Sequence, residues 1–176
     1  MLRREKERPM TIEVGSPLPD ATLYESLEFG EACPLAPSPV RVAEAARGKR
    51  IVIFGLPGAF TPTCSAQHVP GYLASYDALK QKGVDEIWCV SVNDGYVMAA
   101  WGREEKALGK IRFLGDGSAE FATKLGLTRD LTGGGMGVRM QRFSLLVESG
   151  IVKRVNVEQP SKFEVSDAKT MLAALA

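Results

Sequence analysis

Four apolar residues in a row, Ile51-Val52-Ile53-Phe54, end at Gly55. A run of strand length without polar alternation is a strand covered on both faces, and such a strand requires helices above and below it. The rest of the chain supplies them. Val69, Tyr72, Leu73 and Tyr76 recur at i, i+3, i+4 and i+7, one face of a helix that Pro70 should bend. Residues 87–92 read as a second strand, leading to Asn93 and Asp94, either able to cap a helix whose Val97, Ala100, Trp101 and Leu108 share one side. Residues 111–114 are a third strand. Residues 118–125 form a short helix stopped by Gly126, and 132–137 hold four glycines and must be loop. Residues 143–147 and 151–157 pair as a hairpin through Ser149-Gly150, and Ser166 opens a last helix. The order β-α-β-α-β-α-β-β-α predicts an α/β fold: one central mixed sheet with helices on both faces.

Residues 1–10 read as a flexible, solvated tail, because Arg3, Arg4, Lys6 and Arg8 alternate with Glu5 and Glu7 and no apolar stretch follows. Residues 11–176 then form a single domain. Within it, residues 25–40 carry Gly30, Pro34, Pro37, Ser38 and Pro39 and are expected to be an exposed loop or insertion containing Cys33. With 22 basic and 21 acidic side chains the net charge is +1, which leaves no excess field to attract nucleic acid or an acidic membrane. The longest apolar stretch, residues 96–101, is far short of the ~20 a membrane-spanning helix needs. A chain of this length buries about 70% of its unfolded surface, so the core holds without disulfide staples. The three cysteines, Cys33, Cys64 and Cys89, contain no Cys-x-x-Cys and suit a reducing compartment. A cytoplasmic location is expected, or an organelle if a targeting peptide has been removed.

The chemistry concentrates in residues 54–71, where a buried strand turns into a helix, the end of an α/β sheet at which ligands bind. With Thr61 as N-cap, Pro62 falls at N1 and Cys64 at N3. The sulfur then lies among unpaired N–H groups at the positive end of the helix, a setting that favours thiolate. Cys64 is a candidate nucleophile, although a small buried hydrophobe is the bland alternative. Cys64 and His68, at i and i+4, could offer two metal ligands, but only Cys33 and Cys89 remain to complete a site and neither has ligand spacing, so no metal is expected. His68 could instead serve Cys64 as a general base, or be a satisfied buried histidine.

Pro57-x-x-x-Thr61-x-x-Cys64 matches the peroxiredoxin active-site pattern, and Pro57-Gly58-Ala59-Phe60-Thr61-Pro62-Thr63-Cys64 followed by His68-Val69-Pro70-Gly71 resembles the type II, peroxiredoxin-5-like group. Ser91-Val92-Asn93-Asp94, Phe113-Leu114-Gly115-Asp116 and the stretch from Arg139 and Arg142 to Val147 are similar to that group in kind and order. The resemblance implies a thioredoxin-like fold and a thiol peroxidase that reduces hydrogen peroxide and small alkyl hydroperoxides without a cofactor. It implies Cys64 as the peroxidatic cysteine, Thr61 hydrogen-bonding thiolate and peroxide, Pro57 shielding the pocket, and Arg142 completing the site. These roles also make physical sense, since attack on an O–O bond drives negative charge onto the departing oxygen and an arginine offers fixed, permanently charged donors there. Arg139 is open between a second pocket charge and a surface residue. The sulfenic acid formed on Cys64 needs a reductant, glutaredoxin with glutathione or thioredoxin. Cys89 lies on the strand where plant members carry a second cysteine and is the candidate resolving residue; the other reading is a plain core thiol. The resemblance further implies a homodimer with contacts near 131–137, and the pocket is expected to be framed by Pro57, Ala59, Phe60 and either Met136 or a dimer neighbour. The alternative to an enzyme is a peroxide sensor or redox relay that passes oxidation to a partner protein.

Overall fold

The computed structural model describes residues 10–175. The tail expected over residues 1–10 therefore lies outside the described residues, apart from Met10, which is exposed. Seven strands form one sheet in the order β2-β1-β5-β4-β3-β8-β9: β1 (Thr22–Glu25), β2 (Ser38–Arg41), β3 (Arg50–Leu56), β4 (Glu86–Ser91), β5 (Ile111–Gly115), β8 (Phe143–Glu148) and β9 (Ile151–Val157). β3, β4 and β5 are parallel, and the outer pairs are antiparallel, so the sheet is mixed as expected. A separate small ribbon pairs β6 (Thr128–Asp130) with β7 (Val138–Met140).

Period-two alternation along the central strands divides the core into two layers. Ile51, Ile53, Trp88 and Val90 face one side, with α1 (Val42–Ala45) and α5 (Glu120–Leu125). Val52, Phe54, Leu56, Ile87 and Cys89 face the other, with α2 (Val69–Ala74), α4 (Gly95–Glu104) and α6 (Ala168–Ala174), while α3 (Tyr76–Gln81) adds Leu79. Both layers are buried and apolar, which is why β3 reads as an unbroken apolar run. Gly126 ends α5 in the left-handed conformation at φ +68°, and Ser149 and Gly150, at φ +46° and +79°, make the β8–β9 turn.

Three local expectations need correction, and that for Pro70 takes a particular form. Residues 25–40 are not loop throughout, because Ser38, Pro39 and Val40 belong to β2, which pairs with β1 at the rim of the sheet, where proline costs no ladder bond toward a further strand. Asp94 does cap α4, accepting from Val97 N at 2.9 Å, but the buried face is Gly95, Met98, Ala99, Trp101 and Gly102. Gly102 sets that rotation: a Cβ there would stand 2.6 Å from Phe113 Cδ2, so the helix lies directly on β5 and ends before Leu108, which is exposed. Pro70 acts through a widened π turn over Cys64–His68, closed by Val69 N to Cys64 O, which accommodates a proline with no N–H to give. α6 starts at Ala168 behind Asp167, and Ser166 is instead buried outside the helix.

Candidate active site

β3 ends at Leu56 and the helical turn begins at Pro62, so residues 57–61 must cross the end of the sheet in a tight loop. Three bonds hold it. Asn93 Oδ1, next to Ser91 Oγ at 2.7 Å, accepts from Ala59 N at 3.0 Å; Arg139 Nη1 donates to Pro57 O at 3.2 Å; Thr61 Oγ1 donates to Gly58 O at 2.7 Å. Phe60 takes the left-handed conformation at φ +59°, a strained state for a side-chain-bearing residue that the surrounding bonds impose. Ser65 N then donates to Thr61 O at 2.9 Å, which fixes Thr61 at the cap and Cys64 in the first turn.

Cys64 is wholly buried, and its Sγ receives Arg142 Nη2 at 3.1 Å. Arg142 stands one residue before β8, the strand next to β3, so the sheet itself brings it across to the cysteine. Its Nη1 meets His68 Nδ1 at 3.0 Å, and His68 Nε2 meets Ser166 O at 3.1 Å, which Tyr72 OH also reaches at 2.8 Å. A guanidinium can only donate and a carbonyl can only accept, so His68 is the neutral Nε2–H tautomer with the Nδ1 lone pair turned to Arg142. Burial pushes the imidazole down to about 3, with the Arg142 charge adding to it, and the bond to Ser166 only partly offsets both. With that lone pair taken, His68 is not a base for Cys64. It is a satisfied buried histidine that orients the arginine, wedged 4.8 Å from the Phe54 ring and edge-on to Phe163 at 5.0 Å.

The redoxin family profile matches residues 13–172 of the chain. Peroxiredoxin-2D of Arabidopsis thaliana is 45% identical over 93% of this chain and 98% of its own. The structure of reduced Prx3 from Vibrio vulnificus in complex with hydrogen peroxide superimposes with a TM-score of 0.86 at 46% identity, covering 94% of this chain and all of that one. Peroxiredoxin 5 from Alvinella pompejana follows with a TM-score of 0.79, 30% identity and 93% and 97% coverage. The chain is a peroxiredoxin of the redoxin family. The type II, peroxiredoxin-5-like grouping fits these relatives, and the fold is thioredoxin-like. As a peroxiredoxin it is a thiol-dependent peroxidase, and an oxidoreductase that acts on peroxides.

Two features of this peroxiredoxin's geometry bear on the expected site. Thr61 Oγ1 donates its proton to Gly58 O and makes no hydrogen bond to the sulfur, which leaves the hydroxyl oxygen able to accept. A cavity of about 290 Å³ beside Arg142 is bordered by Pro57, Thr63, Arg142 and residues 158–163, but by neither Cys64 nor Thr61. Ala59, Phe60 and Met136 are not part of that wall, and Phe60 points outward at 56% exposure, because the left-handed turn swings it away. Arg139 proves to be a clamp, bonding Met136 O at 2.8 Å as well as Pro57 O.

Cys33 is exposed and Cys89 is buried on β4 opposite Phe54. Burial pushes the Cys89 thiol well above the ordinary range, and the neighbouring Cys64 adds to the effect. Among the described residues no three His, Cys, Asp or Glu side chains gather to hold a metal, and no helix is long and apolar enough to cross a membrane. Sequence reasoning missed Ser166 and the orienting role of His68. The i, i+4 spacing from Cys64 was the one signal for the histidine, and nothing local marks the serine.

Proposed function

We propose that Cys64 is the peroxidatic cysteine and that Arg142, Thr61 and Pro57 complete its site. The observation that carries this reading is the 3.1 Å contact from Arg142 Nη2 to Cys64 Sγ. The thiolate attacks the terminal oxygen of the peroxide, forming an S–O bond as the O–O bond breaks. The bonding electron pair leaves with the second oxygen, which takes up a proton to become water or an alcohol, and the sulfur is left as sulfenic acid. Arg142 lowers the cost of negative charge first on sulfur and then on the leaving oxygen, without having to lose a proton. Thr61 Oγ1, whose own proton is committed to Gly58, is free to accept the peroxide O–H. Pro57 offers no N–H and forms an apolar part of the wall. Hydrogen peroxide and small alkyl hydroperoxides are the substrates of this reading.

Reduction follows when an external thiol condenses with the sulfenic acid, releasing water and leaving a mixed disulfide that a second thiol cleaves. Glutaredoxin with glutathione, or thioredoxin, supplies those thiols. Cys64 and Cys89 are both wholly buried, so attack on the sulfenic acid by either Cys89 or an external thiol requires the 62–74 segment to open; Cys89, held protonated by burial on a central strand, is then the poorer nucleophile. The exposed Phe60 and Val138 beside the 131–137 loop support a homodimer across that end of the molecule. Three free cysteines suit a reducing compartment, the cytoplasm. Among the relatives are chloroplastic and mitochondrial forms.

Steady-state peroxide consumption with each reductant tests the assignment. Cys64→Ser should abolish turnover while Cys33→Ser retains it, and full activity in Cys64→Ser would refute the reading. Mass spectrometry of peroxide-treated protein with glutathione should give glutathionylated Cys64 ahead of a Cys64–Cys89 bridge.

A further inference from the structure

Residues 158–167 connect β9 to α6 without regular secondary structure, yet two of them, Phe163 and Ser166, contact His68. Phe163 packs on His68 and lies under the Arg142 guanidinium, whose carbon is 5.7 Å from the ring centre. Ser166 presents the carbonyl that holds His68. An irregular segment needs its amides satisfied before it can hold a carbonyl in one direction. Here a single oxygen does so. Glu158 Oε1 accepts from Glu164 N at 2.8 Å, Val165 N at 2.6 Å, Ser166 N at 2.8 Å and Ser166 Oγ at 3.0 Å. The side chain is nearly buried, at 6% exposure, and its backbone N donates to Arg142 O at 2.9 Å, just past the last β8–β9 pair, Phe143 with Val157.

We propose that Glu158 is a positioning residue for Arg142: its carboxylate folds residues 164–166 around one oxygen, so that the Ser166 carbonyl orients His68 and His68 orients the guanidinium on Cys64. The proposal rests on the reading of Arg142 as the group that serves the peroxidatic sulfur. The path returns to its start, because the strand register carries Glu158 beside Arg142 while the loop returns to the far side of the same guanidinium. Burial alone would raise the Glu158 carboxyl, but the amides of Val165, Ser166 and Glu164 outweigh it and hold the group below the usual carboxylate range. The carboxylate is therefore the working form at neutral pH. Tyr72, fixed by the same Ser166 carbonyl, stacks on Phe54 at 4.2 Å and closes the histidine's pocket from the helix side.

A double-mutant cycle on the full chain separates positioning from simple support of the fold. The readout is the rate constant for Cys64 oxidation by hydrogen peroxide in a single turnover, with thermal unfolding followed in parallel. Glu158→Ala should slow oxidation about ten- to a hundredfold, by analogy with the loss on mutating the partners that orient metal-ligating side chains. Glu158→Gln, whose amide oxygen can still accept, should recover most of that rate. In an Arg142→Gln background Glu158→Ala should slow oxidation less than about twofold further, since no guanidinium remains to misplace. Equal slowing in both backgrounds, or a lower melting temperature with an unchanged rate, would overturn the proposal. If the alanine variant does not fold, Glu158→Gln carries the same cycle, with a smaller decrement that must still vanish in the Arg142→Gln background. If Arg142→Gln alone leaves oxidation unchanged, the reading of the site falls along with this proposal. If Arg142 matters but Glu158 does not couple to it, only this proposal falls.

Discussion

Cys64 and Cys89 are two wholly buried thiols in the same apolar layer, one at the start of a helix and one in the middle of a strand. Burial is equal, so burial does not distinguish them. Cys64 receives a guanidinium N–H at 3.1 Å, while Cys89 sits in β4 against Phe54 and Phe113, with no charged donor and a thiol held in its protonated form. A buried sulfur reacts when a donor compensates for the charge it must carry, and is inert when only hydrocarbon surrounds it. The contrast depends on a chain of contacts from Ser166 through His68 to Arg142, so it can be attacked at each link.

The largest effect should come from removing the donor. Arg142→Gln should lower the rate of Cys64 oxidation by about a hundred- to a thousandfold, comparable to loss of one positioned donor in other sites that stabilise developing negative charge. Stopped-flow peroxide kinetics would measure it, and a loss of less than tenfold would make the two cysteines more alike than their surroundings suggest.

The next effect is one of pH on stability. His68 is held down to about 3 in the folded protein against 6.5 for a free imidazole, so between those values the unfolded chain binds a proton that the native one refuses. Its contribution is therefore fully present above 6.5 and is lost as pH falls toward 3, at about 1.4 kcal/mol per pH unit. Urea titrations across that window should show the slope, and His68→Phe should flatten it. The same variant frees the second guanidinium nitrogen from its partner and should slow peroxide reduction, narrowing the gap between Cys64 and Cys89.

The smallest effect belongs to the inert member of the pair. Cys89→Ala removes one buried sulfur and should cost about 1 to 2 kcal/mol of stability. It should leave single-turnover oxidation of Cys64 within about twofold, as expected when no donor network is shared. Denaturant unfolding and quenched-flow mass spectrometry would report the two quantities. A large loss of peroxidase rate in Cys89→Ala would show that the strand thiol takes part after all.

What could be read from the chain alone follows the range of the interactions involved. The apolar β3, the glycine that stops α5, the Ser149-Gly150 turn and the placement of Cys64 three residues after Thr61 are settled by neighbours within a few positions, and each was legible. β2 was not, because Pro37, Ser38 and Pro39 carry loop chemistry and only pairing with β1 makes the segment a strand. The buried face of α4 was misread for a related reason: Gly102 admits Phe113 from another element, and no periodicity within the helix records that.

The sequence by itself determined the alternation of strands and helices and the position of a cysteine at a helix start, since both depend on local side-chain pattern and backbone preference. The family resemblance named Arg142 beside that cysteine, but tertiary structure alone decided the chain of contacts that holds it there. Arg142 and His68 are 74 residues apart and His68 and Ser166 are 98 apart, so their contacts exist only once β8 lies beside β3 and the chain after β9 folds back over the helix. Hydrogen bonds across such separations leave no periodic trace in a sequence, because they are set by where whole elements pack and not by the spacing of residues along the chain.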